Sequence, residues 1–146
     1  MDTWLITPSL YQGAGCPGDD HTYDLAIHLC SWEDSIYGCK LTTSPKNSYW
    51  PIPDGSMEQI DINELEALVS NLCDVVLDGR KVLVHCAAGI NRSSLVTALV
   101  VRRLFGLSGV DATAYIRARR GPEALSNPDF ATYLASLGPC EALRRP

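Results

Sequence analysis

The chain has 146 residues, 46% of them hydrophobic and 20% charged, a length and balance that fit one globular domain able to bury about 68–70% of its unfolded surface. Its net charge of -5 argues against a protein that works by wrapping a polyanion. The charge is uneven: residues 1–79 carry 13 acids with only Lys40 and Lys46, net -11, whereas residues 80–146 carry 10 bases and 4 acids, net +6, so an anion-handling site belongs in the second half.

Along the chain, strands and helices alternate. Trp4 to Ile6 and Leu10 to Gln12 read as short extended pieces around Pro8, closed by Gly13 and Gly15 as in a hairpin. Leu25 to Cys30 reads as a buried strand. Ser31 to Tyr49 is polar and turn-rich, and Trp50-Pro51-Ile52-Pro53-Asp54-Gly55 reads as a stiff loop with a hinge-like glycine. Asp61, with Glu64 three positions on, resembles a capping box, and Ile62, Leu65, Leu68, Val69, Leu72, Val75 and Val76 then recur at helical spacing until Gly79.

Lys81 to His85 is a β-branched run that enters a loop of small residues, Cys86 to Asn91. A helix follows from about Arg92 to Phe105, ending at Gly106. A third helix spans about Val110 to Arg119, stopped by Gly121 and Pro122; a last one starts at Asn127, with Pro128 as its first helical residue, and stops at Gly138. The expected fold class is α/β, one domain over residues 1–146 with a central four- or five-stranded sheet flanked by helices.

Cys16, Cys30, Cys39, Cys73, Cys86 and Cys140 lack paired metal-type spacing and read as reduced thiols. The N-terminus lacks a basic leader with an apolar stretch, and the longest apolar run is too short to span a bilayer, so the expectation is a cytoplasmic protein without a membrane partner.

The chemistry concentrates in HCAAGINRS, His85 to Ser93. A cysteine ends a strand and an arginine six positions later opens a helix, the layout of a phosphate cradle. If the loop curls, the N–H groups from Ala87 through Ala88, Gly89, Ile90 and Asn91 to Arg92 face one concavity, and Gly89 supplies the freedom such a nest needs. A helix dipole offers about 0.3–2 kcal/mol, too little alone to sustain a thiolate, so the loop N–H groups and the Arg92 charge act as one unit. Arginine grips phosphate with a planar fork, and Arg92→Lys is therefore not conservative.

A thiolate can take a phosphoryl group if the leaving oxygen receives a proton. Asp54, 32 residues before Cys86 on a loop long enough to fold over it, is the candidate donor and later the activator of water; Asp19, Asp20, Asp34 and Asp61 compete for that role. Ser93 can hydrogen-bond the sulfur as it leaves.

HCAAGINRS resembles the His-Cys-x5-Arg-Ser/Thr signature of the cysteine-dependent protein tyrosine phosphatases, and its Ala-Gly-Ile-x-Arg-Ser tail resembles the dual-specificity branch. The likeness spans nearly the whole chain: LYQG at Leu10 to Gly13 resembles the opening strand, PIPDG at Pro51 to Gly55 the general-acid loop, AYIRARR at Ala114 to Arg120 the basic helix, and Asn127 with Phe130 the closing Asn-x-x-Phe helix. The resemblance implies Cys86 as nucleophile, Arg92 as phosphate clamp, Asp54 as acid then base, Ser93 as an aid to hydrolysis, and His85 as the residue that orients and acidifies the cysteine loop. It implies no metal or organic cofactor.

Asn91 stands where this branch commonly has serine, and Ser126 where a proline often precedes the asparagine. The implied activity is hydrolysis of phosphotyrosine, with phosphoserine and phosphothreonine, on a phosphoprotein or phosphopeptide. Uncharged Ala87, Ala88, Ile90 and Asn91 disfavour inositol lipids. An RNA 5′-triphosphatase of the same superfamily ranks second, the acidic first half disfavouring nucleic acid, and a non-catalytic phosphate-binding scaffold third. Arg117, Arg119 and Arg120, with Arg102 and Arg103, read as a solvated basic face; Arg120 is a candidate for attracting an acidic phosphopeptide. Cys30, Cys39 or Cys73 is a candidate to trap oxidised Cys86 as a disulfide.

Overall fold

The computed structural model describes residues 2–15, 22–30 and 47–144. Among them one mixed sheet of five strands and four α-helices share one core. The strands are β1 (Thr3–Thr7), β2 (Leu10–Ala14), β3 (Leu25–His28), β4 (Asn47–Tyr49) and β5 (Val82–Cys86). The helices are α1 (Ile62–Leu77), α2 (Arg92–Phe105), α3 (Gly109–Arg120) and α4 (Pro128–Ala135).

The sheet order is β1-β2-β5-β3-β4; β1 and β2 form the antiparallel hairpin, and the remaining pairs are parallel. Central β5 is buried at every residue, as a parallel strand covered on both faces must be, which is why VLVHC reads as a continuous run rather than an alternation. Val82, Val84 and Cys86 join the helical core, whereas Leu83, pointing the other way, packs with Tyr23 and Ala26. The carboxyl end of β5 therefore delivers Cys86 to the face where α2 begins.

Local chemistry accounts for the helix starts. Asp61 accepts a hydrogen bond from the Glu64 N–H at 3.2 Å and starts α1, and Ser108 and Asn127 do the same for α3 and α4. The full reciprocal capping box stands one turn earlier than the sequence suggested. Ser56 Oγ accepts from the Glu58 N–H at 3.2 Å while the Ser56 N–H donates to Gln59 Oε1 at 3.0 Å, around a single 3-10 turn, Met57–Gln59.

Two expectations need correction. The strand expected over Leu25 to Cys30 ends at His28: the Leu29 N–H makes the last bond to β5, at the His85 carbonyl, and the Leu29 carbonyl then turns away to accept from the Ile52 N–H. The segment read as turn-rich up to Tyr49 ends in strand β4, whose pairing with β3 no local pattern announces; residues 31–46 lie outside the described residues, as do Cys16, Asp19, Asp20, Asp34 and Cys39.

Candidate active site

The loop after β5 is held from outside, carbonyl by carbonyl. The Gly15 N–H donates to the carbonyls of Cys86 (3.1 Å) and Ala87 (3.0 Å), and Arg120 donates to those of Ala88 (3.3 Å) and Gly89 (2.6 Å). The Leu125 N–H donates to the Ile90 carbonyl at 2.9 Å. No described peptide bond is cis, and in a trans peptide the following N–H points opposite to the carbonyl. Five outward carbonyls thus turn the N–H groups of Ala87, Ala88, Gly89, Ile90 and Asn91 to the inner side of the loop.

Gly89 makes the curl possible. Its φ is +63°, and a Cβ there would lie 3.0 Å from the Gly13 carbonyl oxygen and 3.1 Å from Ala14 Cβ. Leu125 carries its own strain: at φ +61° it occupies a region that non-glycine residues rarely enter, and Arg117 clamps that turn by donating to the carbonyls of Ala124 (2.9 Å) and Leu125 (3.2 Å).

Cys86 is buried, with Sγ 3.2 Å from Ser93 Oγ. Arg92 is buried at the first turn of α2 and donates to the Ile52 carbonyl at 3.5 Å, two residues before Asp54. Asp54 is exposed and held by two carboxamides: Asn91 Nδ2 donates to Oδ2 at 3.2 Å, and Asn127 Nδ2 donates to Oδ1 at 2.8 Å. Asn91 Oδ1 accepts from the Asn127 backbone N–H at 2.8 Å; a backbone N–H can only donate, so the orientation of the Asn91 amide is determined. With its side chain thus employed, Asn91 makes no cap bond to α2.

His85 lies on the opposite face of the sheet, its Nε2 against His28 Nδ1, with His28 Nε2 2.9 Å from Asn47 Oδ1. Burial, and then the neighbouring His28, pushes the His85 pKa down to about 4; burial also lowers that of His28, opposed by the hydrogen bond to Asn47. His85 is therefore a neutral imidazole near pH 7. It anchors the end of β5 but brings no positive charge to Cys86, so the acidifying half of its expected role has no electrostatic basis.

The structure brings Cys86, Arg92, Ser93, Asn91 and Asp54 into one constellation. Three other expectations change. The Arg120 guanidinium, expected to attract substrate, is committed: besides the two loop carbonyls it pairs with Glu123 at 2.8 Å and lies 3.7 Å over the Trp4 ring. Asp61, a competitor for the acid role, is the N-cap of α1. Burial pushes the Cys73 thiol up to about 11, and its Sγ contacts the Val100 carbonyl at 3.8 Å, a poor position from which to attack another sulfur.

Sequence reasoning missed Asn127 as a partner of Asp54, having placed it only as a helix start. It also missed Gln12, which is completely buried and donates to the Gly89 carbonyl at 3.1 Å. One signal was present: in β2 a glutamine shares the inward phase with Leu10.

A curled loop whose N–H groups face inward, with a thiol at its base on the carboxyl end of a central parallel strand, is the candidate site of this α/β protein. The family model "Dual specificity phosphatase, catalytic domain" matches residues 17–138, and the chain belongs to that protein phosphatase family. It is 28% identical over 123 residues to "Putative tyrosine phosphatase 123R" of Invertebrate iridescent virus 6, covering 82% of this chain and 81% of that one. Its fold is similar to human tyrosine phosphatase-like serine/threonine/tyrosine-interacting protein (TM-score 0.73, 22% identity, 90% of this chain and 92% of that one). It is also similar to human DUSP28 (TM-score 0.72, 23% identity, 90% and 92%).

Proposed function

We propose that the chain hydrolyses phosphotyrosine, with phosphoserine and phosphothreonine, on protein substrates through a phosphocysteine intermediate. The observation that carries this reading is the set of five outward-held loop carbonyls around Cys86. A nest built at such steric cost suits three equatorial phosphoryl oxygens.

In the first step the Cys86 thiolate attacks phosphorus: the S–P bond forms, the bond from phosphorus to the leaving oxygen breaks, and protonated Asp54 passes its proton to that oxygen. The loop N–H groups and the Arg92 fork take the charge that spreads over the transferring group. In the second step Asp54, now a carboxylate, takes a proton from water as the water oxygen bonds to phosphorus. The P–S bond breaks, and Ser93 Oγ–H donates to the departing sulfur across the 3.2 Å contact. Inorganic phosphate leaves, and Cys86 and Asp54 return to their starting states.

The test is steady-state hydrolysis of an aryl phosphate from about pH 4.5 to 8 for the wild type, Cys86→Ser and Asp54→Asn. The expected result is a bell-shaped profile, abolished by Cys86→Ser and stripped of its alkaline limb by Asp54→Asn. Full hydrolysis by Cys86→Ser would rule out the covalent route. A wild type inactive on aryl phosphate under reducing conditions sends the next trial to a 5′-triphosphate RNA.

A further inference from the structure

Gln12 is the third residue of β2, paired with Val84 of β5, two positions before the pairing of Ala14 with Cys86. Its side chain points to the face where α2 packs and is completely buried. Burying a carboxamide where an apolar side chain would pack carries a desolvation penalty that every polar atom must recover through hydrogen bonds.

Both polar atoms of the carboxamide have partners. Nε2 donates to the Gly89 carbonyl at 3.1 Å and to Ser94 Oγ at 2.7 Å, and Oε1 lies 2.8 Å from Thr97 Oγ1, whose one proton it shares with the Ser93 carbonyl at 2.9 Å. A carbonyl can only accept, so the amide has one orientation. Two of these partners merely fasten β2 to α2. The third is the loop itself.

We infer that Gln12 is a positioning residue for the phosphate loop: from beneath, it holds the Gly89 carbonyl outward and so keeps the Ile90 N–H turned toward the phosphoryl oxygens. The proposal rests on the reading of the loop as the phosphate site. The peptide joining Gly89 to Ile90 needs such a hold most. Glycine at φ +63° has the widest backbone freedom in the loop, so a flip of that peptide meets the least resistance and would place a carbonyl oxygen among the anion's oxygens.

Arg120 donates to the same oxygen from α3, but through a long side chain shared with Glu123 and Trp4. Gln12 acts from the sheet, with fewer torsions, its amide also held against Ser94 Oγ and Thr97 Oγ1. The two donors share one carbonyl oxygen, which leaves the flipped peptide to compete with two bonds.

The experiment is direct titration of the protein with inorganic phosphate by calorimetry, alongside aryl phosphate kinetics, for the wild type, Gln12→Leu, Thr97→Val and Leu10→Val. Gln12→Leu should bind phosphate about tenfold more weakly and lose more than that in kcat/KM, since the transition state carries more charge on the equatorial oxygens. Thr97→Val, which frees the amide to rotate, should move both in the same direction by a smaller factor.

Leu10→Val, on the same strand and touching only core, should lower the melting temperature and leave phosphate affinity unchanged. Should Gln12→Leu not fold, Gln12→Met and Thr97→Val carry the comparison. Phosphate affinity and kcat/KM equal to wild type in a folded Gln12 variant overturn the proposal and leave Gln12 as a strand-to-helix tie. An inactive wild type that still binds phosphate, and loses that binding with Gln12→Leu, overturns the hydrolytic reading while sustaining this one.

Discussion

Asn91 ties the two halves of the site together: its Nδ2 donates to Asp54 Oδ2 at 3.2 Å across 37 positions of sequence, while its Oδ1 receives the Asn127 N–H. Asp54 is thus placed by the loop that follows β5 and by the start of α4, not only by its own loop. The rim bond from the Met57 N–H to Asp129 Oδ2 fastens that loop to α4 a second time.

Asn91→Ala and Asn127→Ala should each displace the Asp54 carboxyl without touching Cys86. The expected loss in kcat is about 10²-fold on an aryl phosphate with a poor leaving group, shrinking toward none when the leaving group is acidic enough to depart unprotonated. Rates measured across a series of leaving groups read this as a steeper dependence in the variants. A loss equal for all leaving groups would place the defect in the phosphate loop instead.

Arg120→Lys keeps the charge and discards the fork that reaches the Ala88 and Gly89 carbonyls. It should lower kcat/KM by about tenfold, and by the same factor on a neutral aryl phosphate and an acidic phosphopeptide. A loss confined to the acidic peptide would restore Arg120 to the role of substrate attractor.

Gly89→Ala meets two obstacles at once: φ +63°, and a Cβ 3.0 Å from the carbonyl oxygen of Gly13 in β2. The left-handed conformation alone costs about 1–2 kcal/mol, and strand backbone cannot yield cheaply to the contact. The expected outcome is a folded protein with a lower melting temperature and no measurable phosphate binding by calorimetry.

His85 makes stability depend on pH. Its folded pKa of about 4 lies below its ordinary value of 6.5, so between those values the unfolded chain takes up a proton that the folded chain refuses. This contribution is complete above pH 6.5 and is lost as pH falls toward 4, by about 2–3 kcal/mol at pH 4.5. Urea unfolding at pH 7 and 4.5 should show a smaller difference for His85→Gln than for the wild type; an equal difference would assign the acid sensitivity to other groups.

Residue order alone is enough to read the strand, small-residue loop and helix around Cys86 and Arg92. It also holds the hairpin at the start, the caps of α1 and α4, and the candidacy of Asp54, whereas the Ser108 cap of α3 came from the structure. These depend on spacing, periodicity and side-chain type over a few residues, where local sterics and hydrogen bonding decide conformation. It took the packed chain to show that Asn91 and Asn127 hold Asp54, that Gln12 and Arg120 share one loop carbonyl, that Leu125 caps Ile90, and that His85 is neutral. Each of those facts requires groups 31 or more positions apart to meet, and burial is a property of the packed core. No run of neighbouring residues encodes how much water a side chain loses when strands and helices close around it.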